Sequence, residues 1–172
     1  MLFRSYILTH NTPASITAAK RLGASKDLIV CPALVRLNWR AELDKWWPKH
    51  PDVGIIQYGK KRKLSGPKRA DRDRAYAAPI QIVSYELLDQ VDPRGWNVII
   101  FDEVHKLKGT TTKAYKTAQG IVKQNINAFV WGLTATLMPD RPSDCYGPID
   151  VIWPGRLGKK FYFMHRYTNA ER

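Results

Sequence analysis

Residues 97–109 read NVIIFDEVHKLKG, an apolar run followed at once by Asp102 and Glu103, with His105 close behind. Ionised carboxylates are costly to desolvate, so a buried strand that ends in two acids asks for a positive partner there. Ligands of an open parallel sheet gather at the carboxyl ends of its strands, which is where this pair would lie. One acid of such a pair suits Mg²⁺ and the next suits an attacking water. A plainer arrangement fits the same residues: acids stabilising the N-terminus of a following helix, and His105 in a surface turn.

Such acids need a sheet to hold them, and the chain supplies one. DLIVCP (27–32), VGIIQY (53–58), IQIVSY (80–85), NVIIFD (97–102) and NAFVWGLT (127–134) are short runs rich in Ile and Val that read as strands. TPASITAAKRLG (12–23) carries helix signals, with Thr12 as N-cap, Pro13 in the first turn and Gly23 as the stop. ALVRLNWRAELDKWW (33–47) reads as a helix whose apolar face is Leu34, Leu37, Leu43 and Trp46, ended by Pro48. TKAYKTAQGIVKQ (112–124) is a further helix. Strand–helix alternation with short links predicts an α/β fold, a parallel sheet with helices on both faces.

A chain of 172 residues suits one domain with a real core, and 44% hydrophobic content excludes a disordered chain. A formal charge of +13 points to polyanions, with nucleic acid first. GKKRKLSGPKRADRDR, residues 59–74, concentrates that charge and contains Lys60, Lys61, Arg62 and Lys63. It is expected to be a mobile basic loop, either solvated or touching phosphates. Cys31 and Cys145 lie far apart without metal-type spacing, which fits a reducing cytoplasm. No apolar run is long enough to span a membrane, and MLFRSYILTHN lacks the apolar core and cleavage site of a signal peptide.

Several stretches, taken in order, resemble superfamily 2 helicases and translocases of the Swi/Snf-like branch. DEVH (102–105) resembles their DEAH-type motif II, and GLTATLMPDRPSDCYGPIDVIWPGRLG (132–158) their motif III and its sequel. LIVCPALVRLNWRAELDKWWP (28–48) is similar to motif Ia with its following helix, and IVSYELL (82–88) to motif Ib. FYFMHRYTNAER (161–172) fits the close of that branch's first RecA-like lobe. The resemblance implies a RecA-like lobe over residues 12–172 that uses ATP and Mg²⁺ and acts on single- or double-stranded DNA. It implies that Asp102 holds Mg²⁺, that Glu103 polarises water, and that Thr12 lies at the nucleotide. His105 would couple that site to Thr134, Ala135 and Thr136. Pro32, Ala33, Ser84 and Tyr85 would touch the DNA backbone through amides and hydroxyls, which positions a strand without reading its sequence. Trp39, Trp46 and Trp47 are candidate base-stacking platforms, although their spacing favours packing in the core. Two departures stand out: Ala135 replaces a glycine common in this branch, and Asp140 stands where asparagine is usual.

A phosphate loop of the form G-x-x-x-x-G-K-[ST] is absent from the sequence. Aligned on the family, Thr12 matches the loop's final Thr, Asn11 falls on the Lys and His10 on a Gly. The first strand and the loop are therefore expected to be missing or replaced, with no room for that strand upstream of Thr12. One explanation is a degenerate ATPase that binds without hydrolysing. Another is that SYILTHN followed by Thr12 resembles the C-terminal end of an intein, with residues 1–11 as its remnant. There the terminal Asn cyclises, the His assists, and the next hydroxyl is the nucleophile. His-Asn-Thr-Pro is equally a plain turn and helix cap. The expectation that follows is a fragment inactive alone, lacking a second RecA-like lobe and a phosphate loop from an upstream chain. A bacterial or phage-infected cell would be its setting.

Overall fold

The computed structural model describes residues 12–23, 25–138 and 140–167, together with the backbone of residues 5–8. Its strands are β1 (Ser5–Leu8), β2 (Asp27–Cys31), β3 (Val53–Ile55), β4 (Ile80–Ser84), β5 (Val98–Asp102) and β6 (Phe129–Leu133). Its helices are α1 (Thr12–Arg21), α2 (Arg36–Trp46), α3 (Gly66–Ala77), α4 (Lys113–Gln124), α5 (Tyr146–Ile152) and α6 (Lys160–Tyr167). The strands form one sheet in the order β1-β6-β5-β2-β4-β3, and every neighbouring pair is parallel. This is the expected RecA-like α/β sheet.

Side chains alternate across the sheet, so each strand feeds two cores. Ile29, Cys31, Ile80, Ile82, Val98, Ile100, Trp131 and Leu133 pack under α1 and α2. Leu28, Val30, Val83, Ile99, Phe101 and Val130 face the opposite layer, built mainly by α4 and α5. Burial on both faces explains why the strands read as unbroken apolar runs rather than alternating ones.

Three expectations need correction. A strand does fit upstream of Thr12: Ser5–Leu8 runs beside β6, with Leu8 level with Leu133, and fills the place expected to be missing or replaced. His10 and Asn11 lie outside the described residues. The segment 59–74 is a loop only as far as Ser65, because α3 begins at Gly66. Pro67 sits at the favoured first-turn position, and Arg69 and Asp73 pair one turn apart. Finally, α2 buries Trp39 and Leu43, whereas Leu34, Leu37 and Trp46 are exposed. Leu34 belongs to a 3₁₀ turn, Ala33–Val35, that precedes the helix and shifts the phase of its apolar face.

Candidate functional site

Alternation along β5 decides where its last acid goes. Ile100 faces α2 and Phe101 faces away, so Asp102 returns to the α2 side. There Trp39, 2% exposed, donates its indole Nε1–H to Asp102 Oδ2 at 2.8 Å. Tyr85, in the turn after β4, donates its hydroxyl to the Asp102 carbonyl at 2.7 Å. Burial, with Asp102 nearby, holds the Tyr85 phenol well above its usual range, so it stays a donor.

Glu103 then ends the strand. It is the only non-glycine with positive φ among the described residues, at φ 52° and ψ 51°. A left-handed conformation costs an L-residue roughly 1–2 kcal/mol. The 3₁₀ turn Val104–Leu107 enforces it, since Val104 and Leu107 are both fully buried. Through this kink Glu103 Oε2 comes within 3.2 Å of His105 Nδ1, and His105 Nδ1 lies 2.9 Å from Thr134 Oγ1. Thr134 is buried just beyond β6; its Oγ1 accepts from the Thr136 amide at 3.2 Å and lies 3.1 Å from the Thr136 carbonyl. One assignment satisfies all of these contacts. The Thr134 hydroxyl donates to the Thr136 carbonyl, and His105 Nδ1–H is shared between Glu103 and Thr134. Glu103 is thus linked through one imidazole to the turn after β6. Ala135 and Thr136 sit exposed in that turn.

The other expected residues divide. Thr12 is half-buried and opens α1 rather than capping it from outside. Because Leu8, Leu133 and Asp102 are level in the sheet, α1 starts from the same sheet end as the acids. Pro32 and Ala33 follow β2 at that end too, where Cys31 is level with Ser84. Ser84 and Tyr85 are buried; the Ser84 hydroxyl bonds the exposed Glu86, and that of Tyr85 turns inward to the Asp102 carbonyl. Lys60, Lys61, Arg62 and Lys63 are exposed, and Gly59 packs near Gln90 of the turn after β4. Asp140, the unusual acid after motif III, pairs with Lys108 at 2.8 Å, as Asp144 does at 3.2 Å. Sequence reasoning missed the role of Trp39. Its signal is a helix position facing the acid-bearing side of β5, filled by a residue that carries a donor.

The donor set at this sheet end is carboxylate and hydroxyl oxygen, which suits Mg²⁺ rather than a softer ion. Among the described residues no cluster of three or more His, Cys, Asp or Glu forms a ready cation cage. The residues fit the cation; the sequence does not supply the lysine and glycines that would wrap the phosphates.

The SNF2-related domain model matches residues 7–171. The chain belongs to the SNF2-related domain family. It is 25% identical over 156 residues to the DNA excision repair protein ERCC-6 of Mus musculus, covering 85% of this chain and 10% of that protein. It is 29% identical over 150 residues to the SWI/SNF-related matrix-associated actin-dependent regulator of chromatin subfamily A-like protein 1 of Xenopus tropicalis, covering 84% of this chain and 14% of that one. The SNF2-related chain therefore spans a small part of these relatives. Its fold matches the Sulfolobus solfataricus SWI2/SNF2 ATPase core in complex with dsDNA, with a TM-score of 0.74 and 21% identity, over 96% of this chain and 34% of that one. This is a helicase- or translocase-like SNF2 domain.

Proposed function

We propose that this domain is the first RecA-like lobe of an ATP-dependent DNA translocase or helicase, and that it does not turn over ATP alone. The observation that carries the reading is the chain of contacts from Glu103 through His105 to Thr134, which joins the ends of β5 and β6. Asp102 is assigned to Mg²⁺, which when bound neutralises phosphate charge. Glu103 is assigned to orienting water, with His105 and Thr134 reporting the state of the site to the turn after β6. Double-stranded DNA is the assigned track, supported by family membership and by the net charge of +13. A second lobe is its assigned partner in turnover.

The test is DNA-stimulated ATPase of the purified 172-residue chain. Turnover at background level is expected. Robust turnover that Glu103→Gln abolishes would overturn the assignment of an incomplete site. A second reading, a non-catalytic nucleic-acid-binding module, is favoured by the exposed basic cluster; its salt dependence is taken up in the Discussion.

A further inference from the structure

Packing alone asks nothing of an indole N–H. A Phe or Leu at position 39 would fill the same core beside Leu43, yet the residue present carries a donor and aims it at Asp102 Oδ2. A hydrogen bond to an ionised group is stronger than a neutral one, and losing it leaves a buried donor unpaired. The other end of this contact is fixed as well. The 3₁₀ turn Ala33–Val35 runs directly into α2, and the Arg36 guanidinium bonds the carbonyls of Ala33 and Ile56 at 3.0 and 2.5 Å. The indole therefore inherits the placement of a pinned helix start. On the outer side of the same stretch, Leu34 and Leu37 are exposed.

We propose that Trp39 is a positioning residue, whose indole sets the orientation of the Asp102 carboxylate and couples it to helix α2. Any shift of the outer surface at Leu34 and Leu37 then reaches Asp102 through one rigid side chain. The proposal rests on the reading above only in taking Asp102 as the Mg²⁺ carboxylate. A contrast is built into the molecule: Trp131 Nε1 is buried with no hydrogen-bond partner, and Trp96 Nε1 donates to the Asp92 carbonyl at 2.7 Å.

The experiment follows the ¹⁵N indole resonances of the full chain, with Trp39 assigned by the signal that Trp39→Phe removes. Asp102→Ala is expected to move the Trp39 resonance and speed its hydrogen exchange while leaving Trp96 in place. Asp102→Asn, which keeps an acceptor, is expected to stay near the parent. Mn²⁺, alone or with ATP, is expected to broaden Trp39 before Trp96. Trp39→Phe, with its fold checked by circular dichroism, is expected to weaken Mn²⁺ binding about tenfold, the usual scale for removing a group that orients a metal ligand. A Trp39 resonance indifferent to Asp102→Ala would overturn the proposal, as would a folded Trp39→Phe that binds Mn²⁺ like the parent. If the parent binds no Mn²⁺ in either condition, the Mg²⁺ reading fails, and the response to Asp102→Ala decides the Trp39–Asp102 tie by itself.

Discussion

Asp102 and Asp27 lie at opposite ends of adjacent parallel strands and meet opposite surroundings. Asp102 has an indole donor on its carboxylate and a phenol on its carbonyl. Asp27, at the start of β2, is buried with Oδ1 lacking a hydrogen-bond partner. Burial pushes its carboxyl up to about 7, an effect the Val98 amide offsets only in part. The folded chain therefore keeps this proton between the unfolded value of 3.8 and about 7, where the unfolded chain has released it. Stability from this group is full below the lower value and is lost as pH rises through the upper one. Urea unfolding is expected to show a gain on going from pH 8 to pH 5 of at most about 3 kcal/mol from this residue. Asp27→Asn should flatten that slope. An unchanged slope in the variant would show that Asp27 is not the group responsible.

At the scale of elements, α3 and the short strand β3 close the far edge of the sheet, and their contact leaves no room for a side chain. A Cβ on Gly54 would collide with the backbone of Ala75. Gly54→Ala is expected to cost about 1–3 kcal/mol in urea unfolding. Hydrogen exchange should rise first in β3 and α3 and leave β5 protected; equal loosening of both would show that this edge is not a separable unit. This is also the edge least legible in the sequence. The Ile- and Val-rich strands announced themselves, as did α4 with its buried Tyr115, Ala118, Ile121 and Val122. Helix α3 buries no residue, so no apolar stripe betrayed it, and its Lys and Arg content read as loop. The face of α2 misled because Leu34 and Leu37 look apolar by type but point outward, while the inward residues are Trp39 and Leu43. The site divides the same way. The end of a strand placed Asp102 and Glu103, whereas the meeting of His105 with Thr134 was expected only from the family resemblance. The Trp39 contact depends on the relative phase of a helix and a strand distant in sequence, which no local pattern encodes.

For the whole molecule, the question is how a charge of +13 meets a polyanion. Parallel strands bring every motif loop to one end of the sheet, and the basic loop after β3 lies there too, beside the turn after β4. Its cations are not equally placed. Lys60 sits over the Tyr76 ring at 5.0 Å and Arg62 over the Tyr58 ring at 4.9 Å, while Arg72 holds the loop through the carbonyls of Lys60 and Arg62. Anchored cations lose less freedom on meeting a phosphate than free ones, and on that ground we propose that this loop contacts the DNA backbone. Each phosphate neutralised contributes roughly −0.9 to the slope of log affinity against log salt on duplex DNA. Replacing Lys60, Lys61, Arg62 and Lys63 together with Gln is expected to make that slope shallower by about 2–4, and to weaken binding evenly across sequences. The effect should be the same with and without ATP, because Tyr58, Tyr76 and Arg72 hold the loop, while His105 holds Glu103 and Thr134. A slope unchanged by the four substitutions would assign the loop to solvent and leave DNA to the surface at Pro32 and Ala33. A slope that changes only when ATP is present would instead tie the loop to the nucleotide site.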